Sequence, residues 1–387
     1  MARRTNPLLA SQHATALKRI RAEREAASRT VERILRDTPI ESWPALSGHP
    51  DLQTWGAMTR IGRIFTDTLN RDPRHALDLA ELGVSLAEAM PDAAYPVPIP
   101  AQIRAYAWKD LGKVFSALCR YQESVDALER AESLISNYLT LAYDRAIVRF
   151  TLAATYQEVG RYADAFKLLT ECKEIFRLYE DTRLLVMSRI AEGVLLQRLR
   201  RYREARETYL LLLASTPDME KDSRAALHLV IGFCSIELAD FDDAESNLKQ
   251  AIKMNQDLGQ PIEVLKSQAG IGRLMIRRGR TDQGISHLRP VRRGFLQSSM
   301  PEEAGICALD IIVGMLQRGN ASQAETLARM VVNEFTSAKL NTRAITALGY
   351  LTEALAAKKA TTRLVTDVRE YILSLRTRPE REFTPHA

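Results

Sequence analysis

Apolar residues recur at intervals of three and four along most of this chain, a spacing that places them on one face of an α-helix. One such run extends from Leu111 to Leu118 and another from Ala165 to Phe176. No segment of useful length alternates between apolar and polar residues as a half-buried strand would. The pattern therefore predicts an all-α protein.

A short sequence phrase recurs at a nearly constant interval. It consists of a turn residue, an aromatic residue and, three positions later, a small residue, as in Arg161-Tyr162 with Ala165. Six copies, the last two degenerate, put the second position at residues 121, 162, 202, 241, 281 and 321, so the intervals are 41, 40, 39, 40 and 40. Such a period predicts stacked helical hairpins, each with a first helix before the phrase and a second helix after it.

Small residues lie nine positions before most of these aromatic positions. A glycine or alanine where two helices cross lets their backbones approach closely, and the aromatic residue is expected to close the turn between them. The residues expected to build the hairpins are Trp108, Gly112, Tyr121, Tyr162, Ala165, Gly193, Tyr202, Ala205, Gly232, Phe241, Ala244, Gly272 and Ala324.

The segment that contains Trp108, Leu111, Gly112 and Phe115, with the turn residue Tyr121, resembles the tetratricopeptide repeat (TPR) and its W-x2-L-G-x2-Y phrase. The resemblance covers residues 104–335 clearly and residues 52–377 in degenerate form, although Ser124 stands where the family prefers alanine. The period of 40 residues is longer than the ~34 residues of the common repeat. The resemblance implies a TPR-like α-α superhelix, a right-handed solenoid of about eight helical hairpins with an N-terminal capping helix.

Three segments are predicted on this basis. Residues 1–50 form a basic N-terminal helix and connector, residues 51–377 form the TPR-like α-solenoid, and residues 378–387 form a flexible tail. The last helix carries Arg363, Asp367, Arg369, Glu370 and Arg376, and we expect it to present a polar outer face, as the end of a solenoid requires.

No arrangement of residues suggests catalysis. The six histidines have no metal-ligand spacing, the four cysteines form no C-x-x-C pair, and no nucleophile elbow, P-loop or dinucleotide-binding motif is present. We therefore expect a non-enzymatic protein without cofactor or metal. No apolar run reaches the ~20 residues that a membrane helix needs. The Arg-rich N-terminus lacks the apolar segment of a secretory signal, so a cytoplasmic location is expected.

The resemblance implies that a partner peptide or helix binds in an apolar concave groove, and hence a protein-protein interaction module such as a scaffold or adaptor. The residues expected to line this groove are Phe150, Met187, Ile190, Val194, Leu229, Phe233, Ile236 and Ile276. Possible polar contacts are Lys109, Lys113, Lys266 and Arg273, and the lack of asparagine among them disfavours a clamp for a C-terminal carboxylate. The alternative is that the apolar residues simply pack on one another.

The net charge of +6 lies entirely in residues 1–36, which contain nine Arg and Lys against three Glu. The rest of the chain is balanced, which argues against a nucleic-acid surface along it. The basic segment could bind nucleic acid or an acidic membrane surface, could dimerise, or could cap the solenoid by burying Leu17, Ile20, Ala27, Val31 and Ile34. A peptide- or protein-responsive regulator of transcription or signalling, with this segment as its output, is the alternative function. The sequence leaves the oligomeric state open.

Overall fold

The computed structural model describes residues 7–338, 340–375 and 383. Within those residues the chain forms seventeen α-helices, three short 3-10 helices and no β-strand, which confirms the prediction of an all-α fold of helical hairpins. The chain divides into two compact units, Met1–Thr155 (unit 1) and Tyr156–Ala387 (unit 2). This division falls inside the segment predicted as one solenoid. The predicted tail lies outside the described residues, apart from Phe383.

Unit 1 contains a long N-terminal helix followed by hairpins. Its helices are α1 (Pro7–Asp37), α2 (Trp55–Leu69), α3 (Pro73–Ala89), α4 (Ile99–Ala117), α5 (Tyr121–Ile135) and most of α6 (Ala142–Glu158). The 3-10 helices Ile40–Gly48, Asp92–Ala94 and Leu139–Leu141 connect them. Local signals fix the helix starts: at α3, for example, the Asp72 carboxylate accepts hydrogen bonds from two backbone N–H groups, and proline takes the first helical position.

Unit 2 continues the hairpins with helices of nearly equal length. They are α7 (Tyr162–Leu178), α8 (Thr182–Arg198), α9 (Tyr202–Ser215), α10 (Lys221–Glu237), α11 (Phe241–Asp257), α12 (Pro261–Arg277), α13 (Thr281–Gln297), α14 (Pro301–Gln317), α15 (Ala321–Ser337), α16 (Thr342–Ala356) and α17 (Thr362–Leu375). The even-numbered helices are the first helices of their hairpins, and the aromatic position of the phrase begins the second helix.

The turn inside each repeated hairpin contains one residue in the left-handed conformation. The backbone N–H that follows it reaches back to a carbonyl five residues earlier, as Arg161 does to Tyr156 at 2.9 Å, which closes the first helix. This geometry reverses the chain within two residues. The left-handed residues are Cys119, Gly160, Arg200, Ala239, Gly279 and Gly319, with φ between 59° and 79°.

Close helix contacts account for the glycines near the middle of the first helices. A Cβ atom on Gly193 would lie 2.2 Å from the ring of Tyr209, and one on Gly272 would lie 2.4 Å from Leu288. Gly112 and Gly232 face leucines in the same way. The small residues of the second helices, among them Ala165, Ala205, Ala244 and Ala324, are fully buried.

Ser124 departs from the alanine of the family pattern for a visible reason. Its side chain is fully buried in unit 1. The hydroxyl donates to the Gly112 carbonyl oxygen at 2.7 Å and lies 3.0 Å from the hydroxyl oxygen of Thr155. A buried hydroxyl with partners on both sides carries little desolvation penalty, so serine fits where an apolar methyl is usual.

The N-terminal helix α1 packs on the first hairpin of unit 1. Ile20, Ala27 and Val31 are buried, and the backbone of Glu23 runs so close to Gly56 that a Cβ there would lie 2.3 Å away. The Tyr95 hydroxyl donates to the Glu23 carboxylate at 2.6 Å. Burial and this bond raise the pKa of Tyr95 to about 12. The apolar stripe thus covers the end of the hairpins, as expected of a cap; the side chain of Leu17 lies outside the description.

The C-terminal helix α17 presents only part of the polar outer face that we expected of a solenoid end: Arg363 is exposed, Arg369 is mostly buried, and Arg376 lies outside the described residues. It packs against α14 as well as α16, and Val365 and Val368 are fully buried in the shared core. Arg369 turns toward Asp310 of α14, whereas Glu370 pairs with Arg200 and keeps 43% of its side chain exposed. The expectation was wrong for Arg369 because the sequence does not reveal that α17 folds back onto α14.

Candidate functional site

Four first helices of unit 2, α8, α10, α12 and α14, each carry a strip of mostly half-buried residues. On α10 the strip is spaced by four, three and four residues, which puts its members on one side of the helix. We call this strip and its equivalents the first-helix face. It consists of Met187, Ala191, Val194 and Arg198 on α8; Ala226, Val230, Phe233 and Glu237 on α10; Lys266, Gly270, Arg273 and Arg277 on α12; and Ile306, Asp310, Val313 and Gln317 on α14.

Side chains of this face contact each other from one repeat to the next. Arg277 Nη1 lies 3.3 Å from Glu237 Oε2. The Arg273 guanidinium carbon lies 6.0 Å from the ring centre of Phe233, within the range of a cation–π contact. The first-helix face is therefore a continuous surface in which apolar and charged groups adjoin.

The structure separates the predicted groove residues into two groups. Met187, Val194 and Phe233 lie on the first-helix face and are half-buried, while Phe150 is half-buried on α6 in unit 1. The remaining residues, Ile190, Leu229, Ile236 and Ile276, are at most 8% exposed and belong to packed cores. Each first helix packs on helices on both sides, so most of its apolar circumference is covered. These four isoleucine and leucine side chains are core residues and not groove residues.

The predicted polar contacts also lie in different places. Lys109 and Lys113 belong to unit 1, where Lys109 Nζ lies 2.8 Å from Asp110 Oδ1. Lys266 and Arg273 lie on the first-helix face of unit 2. Lys266 Nζ lies 2.7 Å from Glu263 Oε1. Burial disfavours its ammonium, but Glu263 and two further glutamates outweigh burial and raise the pKa of Lys266, so it stays charged.

Arg273 belongs to a cluster that the sequence did not reveal. Its Nε donates to Asp310 Oδ2 at 3.0 Å, and Arg369 Nε of α17 lies 3.7 Å from the other oxygen of the same carboxylate. The three side chains are 15%, 8% and 16% exposed. Burial and the neighbouring Arg273 lower the pKa of Arg369, yet a guanidinium keeps its proton in proteins. The two guanidinium groups therefore share the Asp310 carboxylate, and Glu237 also lies close enough to stabilise both positive charges.

A further ion pair ties α17 to the turn that follows α8. Arg200 Nη2 lies 2.5 Å from Glu370 Oε2, and both side chains are partly exposed. Arg369 and Glu370 thus contact residues far away in the sequence, and periodicity could not have identified them. The only available signal was the unusual number of charges on a terminal helix.

Other arginines near the hairpin turns pair with carboxylates of the same or the neighbouring hairpin. Arg201 Nε lies 2.7 Å from Glu204, and Arg278 Nη1 lies 2.7 Å from Glu245. These pairs make a salt-bridged edge of alternating charge instead of a continuous cationic ridge. Elsewhere in the described part of the chain, no group of three His, Cys, Asp or Glu side chains has the arrangement of a metal site. No described helix is both long and apolar enough to cross a membrane.

Comparison with protein families identifies the repeats. Residues 144–217 match the tetratricopeptide repeat family. No curated protein sequence matches the chain significantly.

Solved structures share the fold over nearly the whole chain. A Rap protein complexed with competence and sporulation factor has a TM-score of 0.59 at 14% identity, covering 95% of this chain and 99% of that one. NprR in complex with its cognate peptide NprX has a TM-score of 0.54 at 12% identity, covering 94% and 98%.

A third similar structure belongs to a signal-transduction ATPase of numerous domains with a tetratricopeptide repeat sensor, from Pyrococcus horikoshii. Its TM-score is 0.53 at 15% identity, and the match covers 92% of this chain. It covers 53% of the other chain, so the present chain spans about half the length of that protein. At these identities the likeness shows the fold alone.

Proposed function

We propose that this tetratricopeptide-repeat protein is a protein-interaction module that binds a partner peptide on the first-helix face of unit 2. The observation that carries the proposal is the pair of mostly buried arginines, Arg273 and Arg369, which meet at the carboxylate of Asp310 beside the half-buried ring of Phe233. An acidic group flanked by an apolar side chain complements such a surface in charge and in shape.

The unmatched hydrogen-bonding capacity of Arg369 favours an acidic ligand. Its Nε is buried and has no hydrogen-bond partner among the described residues. Leaving a buried donor unsatisfied costs about 1–3 kcal/mol, and more for a charged group. The Arg369 side chain is 16% exposed, and a partner carboxylate at its exposed part would add a charge-assisted hydrogen bond to this surface. Met187 and Val194 extend the apolar part of the same face toward α8.

The proposed role is binding and not catalysis. The residues of the first-helix face include no Ser, Thr, Cys or His side chain that could act as a nucleophile or base, and its two carboxylates, Glu237 and Asp310, are each paired with an arginine. The partner we propose is therefore captured and released unchanged. A cytoplasmic location stays a prediction.

Selection of random peptides on the full-length protein tests the proposal. We expect enrichment of peptides that place Asp or Glu next to a large apolar residue. Arg369→Gln should lower the affinity for an enriched peptide about tenfold, because a charge-assisted hydrogen bond contributes about 1.5–3 kcal/mol. Arg363→Gln, an exposed arginine of the same helix, is the matched control and should leave affinity unchanged.

A second pair of variants tests the apolar part. Phe233→Ala should weaken binding, while Phe166→Ala on α7, where the ring is 55% exposed, should not. Thermal melting of each variant establishes that it is folded. Equal binding by the Arg369 and Arg363 variants, or enrichment of peptides without acidic residues, would refute the proposed mode.

A regulatory role is the second candidate. Two proteins with this fold over nearly their whole length were solved with a bound factor or cognate peptide, which supports a peptide-responsive regulator here. The ion pair between Arg200 and Glu370 joins α17 to the turn after α8. A ligand bound at Arg369 would lie next to this contact. Peptide-dependent change in hydrogen exchange of α17 would support this role, and unchanged exchange at saturating peptide would contradict it.

A further inference from the structure

Unit 1 contains a cavity of about 330 Å³ that the proposed peptide site does not use. It lies among α1, α2, α3 and α4. Apolar side chains, among them Phe65, Leu79 and Ile103, form its floor, and α4 contributes a polar wall with Tyr106 and Lys109. This volume is at the lower end of the range for small-molecule sites, which combine an apolar lining with a few polar groups in the same manner.

Two glycines border the cavity without the packing reason that explains the hairpin glycines. A Cβ on Gly62 would meet nothing closer than Asp110 Oδ2 at 3.5 Å, and one on Gly83 nothing closer than Ile61 at 4.0 Å. Both are ordinary contact distances. Glycine inside a helix costs about 1 kcal/mol relative to alanine. Close helix packing does not explain why glycine occupies these two positions. The space that the missing side chains leave is instead part of the cavity.

The charges around the cavity are predominantly positive. Arg24 of α1 and Arg63 of α2 are exposed at its rim, and neither forms an ion pair with any residue that the structure describes. Lys109 contacts Asp110 and lies 4.7 Å from the centre of the Tyr106 ring. Three positive groups thus face one carboxylate among the lining residues.

The remaining polar groups of the α4 wall are held by internal bonds. The Tyr106 hydroxyl donates to Asp144 Oδ1 at 3.0 Å, and Gln102 Nε2 donates to the same oxygen at 2.6 Å. Burial and the Asp144 carboxylate raise the pKa of Tyr106, so its hydroxyl stays neutral and holds that donor role. The wall is therefore preorganised, and the unpaired charge is concentrated at the arginine rim.

We propose that this cavity binds a small carboxylic acid with an aromatic-sized apolar body. The body lies on the apolar floor beside Gly62 and Gly83, and the carboxylate lies at the rim with Arg24 and Arg63. This site is in unit 1 and is independent of the peptide site proposed on unit 2.

Calorimetric titration of the full-length protein tests the site with defined probes: phenylacetate, 4-phenylbutyrate and indole-3-acetate, each beside its neutral amide. At least one acid should bind saturably with a stoichiometry of one. Its amide should bind about fivefold more weakly, which corresponds to about 1 kcal/mol at 1.4 kcal/mol per tenfold. Failure of all three acids to bind, or equal binding of acid and amide, overturns the proposal.

A cavity-filling variant locates the binding. Gly62→Met places a flexible side chain in the cavity and improves helix propensity, so the variant should fold and lose acid binding at least tenfold. Gly349→Met, where a Cβ meets nothing within 4 Å and which does not line this cavity, is the matched control and should bind as the natural protein does. Unchanged binding by Gly62→Met overturns the location.

Two further measurements test the role of charge at the rim and whether the bound acid is a small molecule or the end of a peptide. Arg63→Gln should lower the affinity for the acid to that for its amide. Arg29 is an exposed arginine on α1 that does not line the cavity, so Arg29→Gln should leave the affinity unchanged. The tripeptide Ala-Ala-Phe offers the same carboxylate and ring at a peptide end. Binding of this peptide without binding of the free acids would overturn the assignment to a small molecule.

Discussion

The substitution Gly193→Ala tests how closely the helices of one hairpin approach each other. The added methyl would lie 2.2 Å from Cε1 and 2.5 Å from Cζ of Tyr209. That ring is fully buried and rigid, so the clash cannot be relieved at the end of a flexible side chain. Overpacking of this kind costs about 1–3 kcal/mol, and the better helix propensity of alanine returns about 1 kcal/mol.

We therefore expect Gly193→Ala to lower the free energy of unfolding by up to about 2 kcal/mol. Gly349→Ala is the matched control, because no atom lies within 4 Å of its new methyl. This variant gains helix propensity without any clash, so it should raise the free energy of unfolding by about 1 kcal/mol. The gain in helix propensity is common to both variants, so they should differ by the overpacking cost of about 1–3 kcal/mol although the chemical change is identical.

Urea unfolding measures this difference, and hydrogen exchange of the α8 and α9 amides localises it, since repeat arrays can open segment by segment. The double variant Gly193→Ala with Tyr209→Leu should recover part of the loss, because the preceding repeat has Ala153 and Leu169 at the equivalent sequence positions. A Gly193→Ala protein as stable as Gly349→Ala would refute the reasoning on helix approach.

Three further predictions follow from the same contacts. Ala239→Gly should stabilise the protein by about 0.5–1 kcal/mol in urea unfolding, because Ala239 has a φ of 60° that glycine adopts without strain; a loss of stability would contradict this. Burial alone would raise the pKa of Asp222, but hydrogen bonds from Arg183 and Ser223 outweigh it and lower the pKa below its ordinary 3.8. The stability that Asp222 contributes is therefore present above that value and lost as the pH falls through the lower folded pKa. Acid titration should show Asp222→Asn less stable than the natural protein at pH 7, with the difference shrinking below about pH 4; a constant difference would argue against it. Burial raises the pKa of the Cys307 thiol to about 12, so iodoacetamide at pH 8 should leave it unmodified in the folded protein and alkylate it after unfolding; rapid native modification would exclude this environment.

The sequence by itself determined the repeat and its local geometry. The interval of about 40 residues, the aromatic positions and Gly112, Gly193, Gly232 and Gly272 define hairpins whose contacts are made within a few tens of residues. Such contacts recur in every copy and therefore leave a periodic signal. The buried side of α1 could also be predicted from the sequence, because Ile20, Ala27 and Val31 lie on one apolar side of the helix.

Only the tertiary structure decided which apolar residues remain available to a partner. Ile190, Leu229, Ile236 and Ile276 carry the same helical spacing as Phe233, yet neighbouring helices on both sides cover them. Amphipathic spacing tells which residues avoid water, but it does not tell which adjacent helix covers each one. The sequence also did not reveal the left-handed turn residues such as Cys119 and Arg200, because half of these positions lack glycine.

The charged cluster and the cavity depended on tertiary structure for the same reason. Arg369 meets Asp310 and Arg273 because α17 folds back onto α14, and the unit 1 cavity forms because α1 to α4 leave a gap beside Gly62 and Gly83. Neither arrangement repeats along the chain, so no periodic pattern records it. A repeat sequence specifies contacts between neighbours, whereas the placement of a terminal helix and the gaps between helices result from the balance of packing over a whole unit.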